Sequence, residues 1–158
     1  MVSAPLDTVE RPAVAKERLR LWIRLLRASR LIENELRERL KREFDTTLPR
    51  FDVMAALYRQ PDGMAMSDLS RFLLVSNGNV TGIVERLVKD GLVSRTAREG
   101  DRRAFIVKLT PAGETRFRDM AAAHETWIEE FLGDVAHGDA VRLSATLKAF
   151  RSNWEEAH

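Results

Sequence analysis

The stretch from Met66 to Leu109 constrains the fold more than any other part of the chain. Met66-Ser67-Asp68-Leu69-Ser70-Arg71-Phe72-Leu73 reads as a short amphipathic helix. Ser67 is its expected N-cap, Asp68 suits the positive end of the helix dipole, and Leu69, Phe72 and Leu73 are expected to face inward. Val75-Ser76-Asn77-Gly78 reads as an interhelical turn. A second helix over about 78–90 carries Val80, Ile83, Val84, Leu87 and Val88 as its buried stripe, and Gly91 ends it where glycine commonly ends helices. Two strands follow over 92–96 and 104–109, the second alternating Phe105, Val107, Leu109 against Ala104, Ile106, Lys108. The charged run Arg98-Glu99-Gly100-Asp101-Arg102-Arg103 joins them as a turn. Two helices, a tight turn and a ribbon with a basic tip predict a winged helix-turn-helix.

The flanks read as helices with unpartnered apolar stripes. Residues 1–12 hold Pro5 and Pro12 without periodicity and are expected to form a flexible arm. From 14 to about 44, Leu19, Trp22, Ile23, Leu26 and then Ile32, Leu36, Leu40, Phe44 keep helical spacing. A helix of about 30 residues is roughly 45 Å long, more than a small domain buries alone. Asp45-Thr46-Thr47-Leu48-Pro49 breaks it, with Thr47 or Leu48 preceding a helix over 50–59 and Pro49 in its first turn. Gln60-Pro61-Asp62-Gly63 is a turn, and residues 64–66 are short and extended. Thr110 caps, and Pro111 opens, a helix to about 135. A final helix carries Leu143, Leu147, Phe150 and Trp154 on one stripe. The expected architecture is mainly α with a small β-hairpin wing. A flexible arm at 1–12 precedes a helical dimerisation domain formed by 13–46 and 111–158, with the DNA-binding domain at 47–110.

Net charge is only +2, but it is unevenly placed. Residues 11–50 hold 12 basic and 6 acidic side chains, and residues 111–158 hold 5 basic and 9 acidic ones. Placement matters more than the total, because phosphate binding needs a local basic face. With no cysteine, disulfides, thiolate metal sites and a cysteine redox switch are excluded. The start of the chain lacks the pattern of a signal peptide, and no apolar run approaches the roughly 20 residues of a membrane span. These features point to a cytoplasmic protein that does not engage membrane. The chain has three histidines, at 124, 137 and 158, and no HExxH, GxGxxG or P-loop pattern. An enzyme is therefore not expected, and neither is a cofactor or a metal.

A major groove accepts one helix, and short polar side chains near its N-terminus read base edges. Ser76, Asn77, Asn79 and Thr81 are such a set, and Asn can pair bidentately with adenine. Arg86 and Lys89, further along, suit phosphates. Arg102 and Arg103 at the ribbon tip suit a narrow minor groove. The expected partner is double-stranded DNA. A winged helix used for protein contacts would keep the same core, so it stands as the alternative.

Asp101-Arg102-Arg103 followed by Val107-Lys108-Leu109-Thr110-Pro111-Ala112-Gly113 resembles the wing-and-exit signature of the MarR family (multiple antibiotic resistance regulators). Val80-Thr81-Gly82-Ile83-Val84-Glu85-Arg86-Leu87 and Asp90-Gly91-Leu92-Val93 resemble that family too. The resemblance implies a homodimeric winged-helix regulator, usually a repressor, released from DNA by a small ligand. It implies that Asp101 supports the wing and that Arg103 enters the minor groove. Many members carry arginine where this chain has Gly82, so one DNA contact of the family is missing here. Thr46-Thr47-Leu48-Pro49-Arg50-Phe51-Asp52, with Leu21-Trp22-Ile23-Arg24-Leu25-Leu26, resembles a subgroup tied to aromatic-acid catabolism. That subgroup implies an aromatic carboxylate or an aromatic acyl-CoA as effector.

The family's ligand cleft would draw here on Trp22, Arg24, Arg27 and Arg30 of the first helix, Phe51, Met54 and Tyr58 of the second, and Met120 and His124 of the fifth. Aromatic and methionine side chains can line a flat apolar ligand, and arginine pairs with its carboxylate or phosphate. Each residue also has a plain packing reading. Trp22, Met54 and Met120 suit core or interface, His124 suits a hydrogen-bonded buried site, and the arginines suit a solvated helix face. A regulator without a small-molecule effector is the remaining alternative.

Overall fold

The structure, a computed structural model, describes residues 7–73 and 77–156, with backbone alone for residues 7–12, 77, 101–103 and 151–156. The described elements run α1 (Asp7–Phe44), α2 (Leu48–Tyr58), β1 (Met64–Ala65), α3 (Met66–Leu73), α4 (Asn77–Lys89), β2 (Val93–Arg98), β3 (Asp101–Leu109), α5 (Pro111–Phe131) and α6 (His137–Glu156). This is the mainly helical winged-helix order expected from the sequence. The chain divides after Met120 into two compact units, a boundary that falls inside α5. Among the described residues, no helix is long and apolar enough to cross a membrane.

In the first unit, α1 begins at Asp7 rather than near residue 14, so the flexible arm expected over residues 1–12 is helical from Asp7 onward. Acidic residues at 7 and 10 suit the positive end of a helix dipole. The last turn of α1 closes on Asp45, in the left-handed region at φ 49. The Arg116 guanidinium donates to the Phe44 carbonyl at 2.6 Å and lies over the Phe44 ring, which ties the end of α1 to α5. Thr47 caps α2 by accepting from the Arg50 N–H at 3.3 Å, with Pro49 in the first turn. The turn at Gly63 needs glycine: φ is +91, and a Cβ there would stand 2.7 Å from Ile106 Cγ2 and 2.8 Å from the Val107 carbonyl.

A three-stranded antiparallel sheet, in the order β1-β3-β2, backs the helices. Val93 pairs with Leu109 at its base and Thr96 with Ile106 further out. The core is built from Leu36 and Leu40 of α1, the inner face of α2, Leu69 of α3, Val80, Val84 and Leu87 of α4, and Val107 of β3.

Two expected core positions differ. Phe72 and Val88 are exposed. The inner stripe of α3 is Met66, Leu69, Ser70 and Leu73, an i, i+3, i+4, i+7 set, and Phe72 lies about 110° round the helix from its centre. In α4 the stripe centres on Val80, Val84 and Leu87, which leaves Val88 at its edge. Ser67 sits inside α3 rather than capping it, because the helix already begins at Met66.

The second unit holds the end of α5 and α6. Trp127 is buried, whereas Val141, Leu143, Leu147 and Phe150 on α6 are all exposed. The side chain of Trp154, the fourth member of that stripe, lies outside the described residues. Arg142 pairs with Asp139 in the first turn of α6.

Candidate nucleic-acid interface

The buried stripe of α4 determines what its other side presents. With Val80, Val84 and Leu87 turned inward, Asn79, Gly82, Glu85, Arg86 and Lys89 are exposed and Thr81 is half-buried. Gly78 and Gly82 sit one turn apart on the outer face, and a Cβ added at either would meet nothing within 4 Å. Glycine inside a helix costs about 1 kcal/mol relative to alanine. Among the described residues no contact requires it at these two places, so the face is kept smooth at some cost in stability. Such a face admits a close backbone approach from outside the molecule.

Asn77 begins α4 and its side chain is outside the described residues, as is Ser76 altogether. Asn79 and Thr81 follow in the first turn and a half. Lys89 lies about 15 Å further along the axis, ten residues on. That spacing separates a polar reading end from a cationic end. The Arg86 guanidinium is held by Asp90 at 3.2 Å, with both side chains partly exposed. An exposed pair of this kind is worth at most about 1 kcal/mol, so a phosphate can compete for the arginine.

The hairpin is longer than the sequence pattern suggested. Asp101, Arg102 and Arg103 belong to β3, and the turn contracts to Glu99-Gly100, with Gly100 at φ +84. Charged residues have low strand propensity, which is why they read as turn. Across the ladder Ala97 pairs with Phe105 but Arg98 pairs with Asp101, so the register slips at the tip by the three residues 102–104. Bulges of this kind twist a hairpin and re-aim its end. Of Asp101, Arg102 and Arg103 the structure describes the backbone, which places all three on the strand leaving the tip.

Two cations on β2 extend the basic ribbon and were not singled out from the sequence. Arg95 and Arg98 are exposed, and the Arg95 guanidinium lies 3.9 Å from the Phe105 ring centroid. A stacked guanidinium is held in place yet keeps its in-plane donors. Their place in the basic run from Arg95 to Arg103 was the available signal. Arg71 on α3 is also exposed, 3.7 Å from Asp68.

Among the described residues of the first unit, those named for an effector lie in the core or on separate hollows. Phe51, Met54 and Met120 are buried core, at 5%, 0% and 1% exposure. Phe51 and Tyr58 both lie against Phe117, with ring centroids at 5.5 and 4.8 Å, although Tyr58 keeps an exposed edge. Trp22 and Arg24 are exposed on α1. Arg27 and Arg30 share a hollow of about 240 Å³ with Ile23, Leu26, Leu31 and Asn34. Tyr58 lines another of about 280 Å³ with Leu57, Gln60, Pro61, Leu109 and Glu114. A third, of about 290 Å³, gathers Arg37, Lys41 and Arg50 with Asp45 at the α1–α2 junction. His124 belongs to the second unit, where burial pushes its pKa below the ordinary 6.5 and favours the neutral ring. Among the described residues no group of three or more His, Cys, Asp or Glu could hold a metal ion.

Comparison with known proteins gives one answer at several levels. Residues 44–104 match the model of the MarR family. The transcriptional activatory protein BadR of Rhodopseudomonas palustris is 32% identical over 76% of this chain and 70% of that protein. The crystal structure of a MarR family transcriptional regulator from Silicibacter pomeroyi is 38% identical, covers 89% of this chain and 96% of its own, and superposes with a TM-score of 0.74. A mutant of E. coli MarR complexed with operator DNA shares the fold, with a TM-score of 0.74 at 23% identity over 85% of this chain and 95% of that one. The curated relatives are transcriptional regulators, in agreement with a chain that is not an enzyme. With its helix-turn-helix, its hairpin and these relatives in place, the chain belongs to the MarR family of winged-helix transcriptional regulators.

Proposed function

We propose that the protein acts as a homodimer on a near-palindromic operator and is released from it by a small ligand. One observation carries this reading: the smooth polar face of α4 is followed by a hairpin bearing Arg95, Arg98, Arg102 and Arg103. Two copies of α4 would occupy successive major grooves, with residues 76, 77, 79 and 81 at base edges and Arg86 and Lys89 at phosphates. Arg103 would enter the flanking minor groove, with Asp101 supporting the wing. The exposed apolar residues of α1 and α6 support a second copy of the chain as partner, because each stripe is too large to leave in water.

The effector is an aromatic carboxylate or its CoA thioester. Support comes from the hollow on α1, where Arg27 and Arg30 stand beside Ile23, Leu26 and Leu31. A cation beside apolar surface suits a carboxylate carried on a ring. To empty the operator, the ligand must favour the released dimer by several kcal/mol. Repression is the expected sign for a dimer that covers promoter DNA. The Rhodopseudomonas relative is named an activatory protein, so operator position is what the sign turns on.

The test is fluorescence anisotropy on a duplex from the protein's own upstream region, against a scrambled duplex, over a salt series and then with aromatic acids and their CoA thioesters. Selective, salt-steep binding that one compound reverses is expected. Arg103→Ala should weaken it by roughly 1–3 kcal/mol without changing the melting temperature. Equal binding to both duplexes contradicts operator recognition, and no binding to either moves the winged helix toward protein contacts.

A further inference from the structure

Thr110 sits where four elements end. Helix α4 closes on Gly91 in the left-handed region at φ +75, with the Gly91 N–H on the Val88 carbonyl and the Leu92 N–H on the Leu87 carbonyl, both at 3.0 Å. The carbonyls of Gly91 and Leu92 themselves are both taken by Thr110. Its hydroxyl donates to the Gly91 carbonyl at 2.7 Å, and its N–H donates to the Leu92 carbonyl at 3.0 Å. The same hydroxyl accepts from the Gly113 N–H at 3.0 Å, capping α5. Gly113 completes the joint: a Cβ there would stand 2.0 Å from the Leu92 carbonyl oxygen, so the backbone of α5 lies directly on the base of β2. The Thr110 hydroxyl therefore links the end of the recognition helix to the start of α5, while the Thr110 N–H ties the exit of β3 to the base of β2.

Lever arms give this joint leverage. The N-terminus of α4 is 13 residues away, about 20 Å along its axis. The wing tip is six residues along β2, about 20 Å as well. A 10° tilt at the joint would displace either end by roughly 3.5 Å, more than a hydrogen-bond length. We infer that Thr110 is a positioning residue that holds the recognition helix and the wing at the spacing needed to engage adjacent grooves. The inference rests on the DNA-binding reading for its consequence, but not for its geometry.

The chain has no cysteine, so paired spin labels can be placed cleanly. Glu85→Cys on α4 and Glu99→Cys at the wing tip, diluted with unlabelled chain, give an intramolecular distance distribution without DNA. Thr110→Val removes the hydroxyl at nearly constant volume and should broaden that distribution, whereas Thr110→Ser should keep it narrow. In anisotropy, Thr110→Val should lose at least tenfold in affinity for the upstream duplex with a shallower salt slope, and Thr110→Ser should restore both. Circular dichroism at the assay temperature checks that each variant is folded. An unchanged distribution in folded Thr110→Val overturns the inference. So does a broadened distribution with unchanged affinity, and so does an affinity loss that serine does not rescue. If the parent protein itself does not prefer its duplex, the DNA reading fails, and the distance measurement still decides whether Thr110 sets the geometry.

Discussion

Helices α1 and α4 place their apolar side chains in opposite circumstances. In α4 the stripe is finished by the chain's own packing, with Val80, Val84 and Leu87 at 0–1% exposure. In α1 only the C-terminal half is finished, at Leu36 and Leu40. Leu19, Leu21, Trp22, Ile23 and Leu31 are each more than half exposed. Both helices keep the period of an amphipathic helix, so periodicity alone does not tell a core from an interface. What separates them is whether other elements of the same chain are in reach. A stripe that stays wet in one chain is the face proposed for a second copy, and a polar face left over from a finished core is the one proposed for DNA.

The largest effect should come from breaking the unfinished half. Ile23→Glu puts a charge into the proposed subunit seam at a side chain that is 53% exposed and outside the buried core. The expected result is a monomer by light scattering at micromolar concentration, with the fold intact by circular dichroism. Operator affinity should fall by about 10²–10⁴-fold, because the second recognition helix then loses its high effective concentration. A dimer that survives the change, or a monomer that binds as tightly as the parent, would remove the contrast between the two helices.

Much of α4 was legible in advance, for reasons that can be named. Its stripe corresponds to buried side chains, and the Gly91 stop and the Thr110-Pro111 start of α5 are local signals that correspond to a left-handed φ and a capping hydrogen bond. The exposure of Phe72 was not legible, because an eight-residue helix offers two apolar stripes and tertiary packing chooses between them. Met54 and Met120 took their packing reading and not the cleft one. Aromatic and methionine residues look alike in a core and in a ligand cleft until the neighbouring elements are placed. The wing boundaries slipped because Asp101, Arg102 and Arg103 hold strand backbone despite poor strand propensity, supported by pairing from Arg98.

Gly82→Ala sharpens the comparison from the finished side. A methyl there meets no atom of the described residues within 4 Å, and alanine lowers the backbone entropy cost of an exposed helix interior. Stability should rise by roughly 0.5–1 kcal/mol, read as a higher urea midpoint. The same methyl stands on the face proposed to enter the groove, so operator affinity should fall several-fold. Gains in both would mean that the smooth face of α4 is not a close-contact surface.

The smallest expected effect lies at the seam where α1 is finished by α2. Asp52 on α2 has its carboxyl pushed up from 3.8 to about 6, first by burial and then by Glu33 of α1, with Arg37 opposing. Arg37 is itself drawn to Glu33 at 3.4 Å and to Asn34 at 3.2 Å, which weakens its hold on Asp52. A carboxyl with a raised pKa binds its proton more tightly in the folded state. Stability from the neutral form is therefore full below about pH 3.8 and is lost as pH rises through about 6. Asp52→Asn should leave stability unchanged at pH 4 and raise it at pH 7. Because solvent still reaches this side chain, the gain should be under about 1 kcal/mol, measured as the difference in urea midpoints between variant and parent at the two pH values. A loss at pH 7 would mean that attraction to Arg37 outweighs burial. The α1–α2 seam would then be held by charge as well as by Leu36 and Leu40, and the finished half of α1 would differ from α4 in kind and not only in extent.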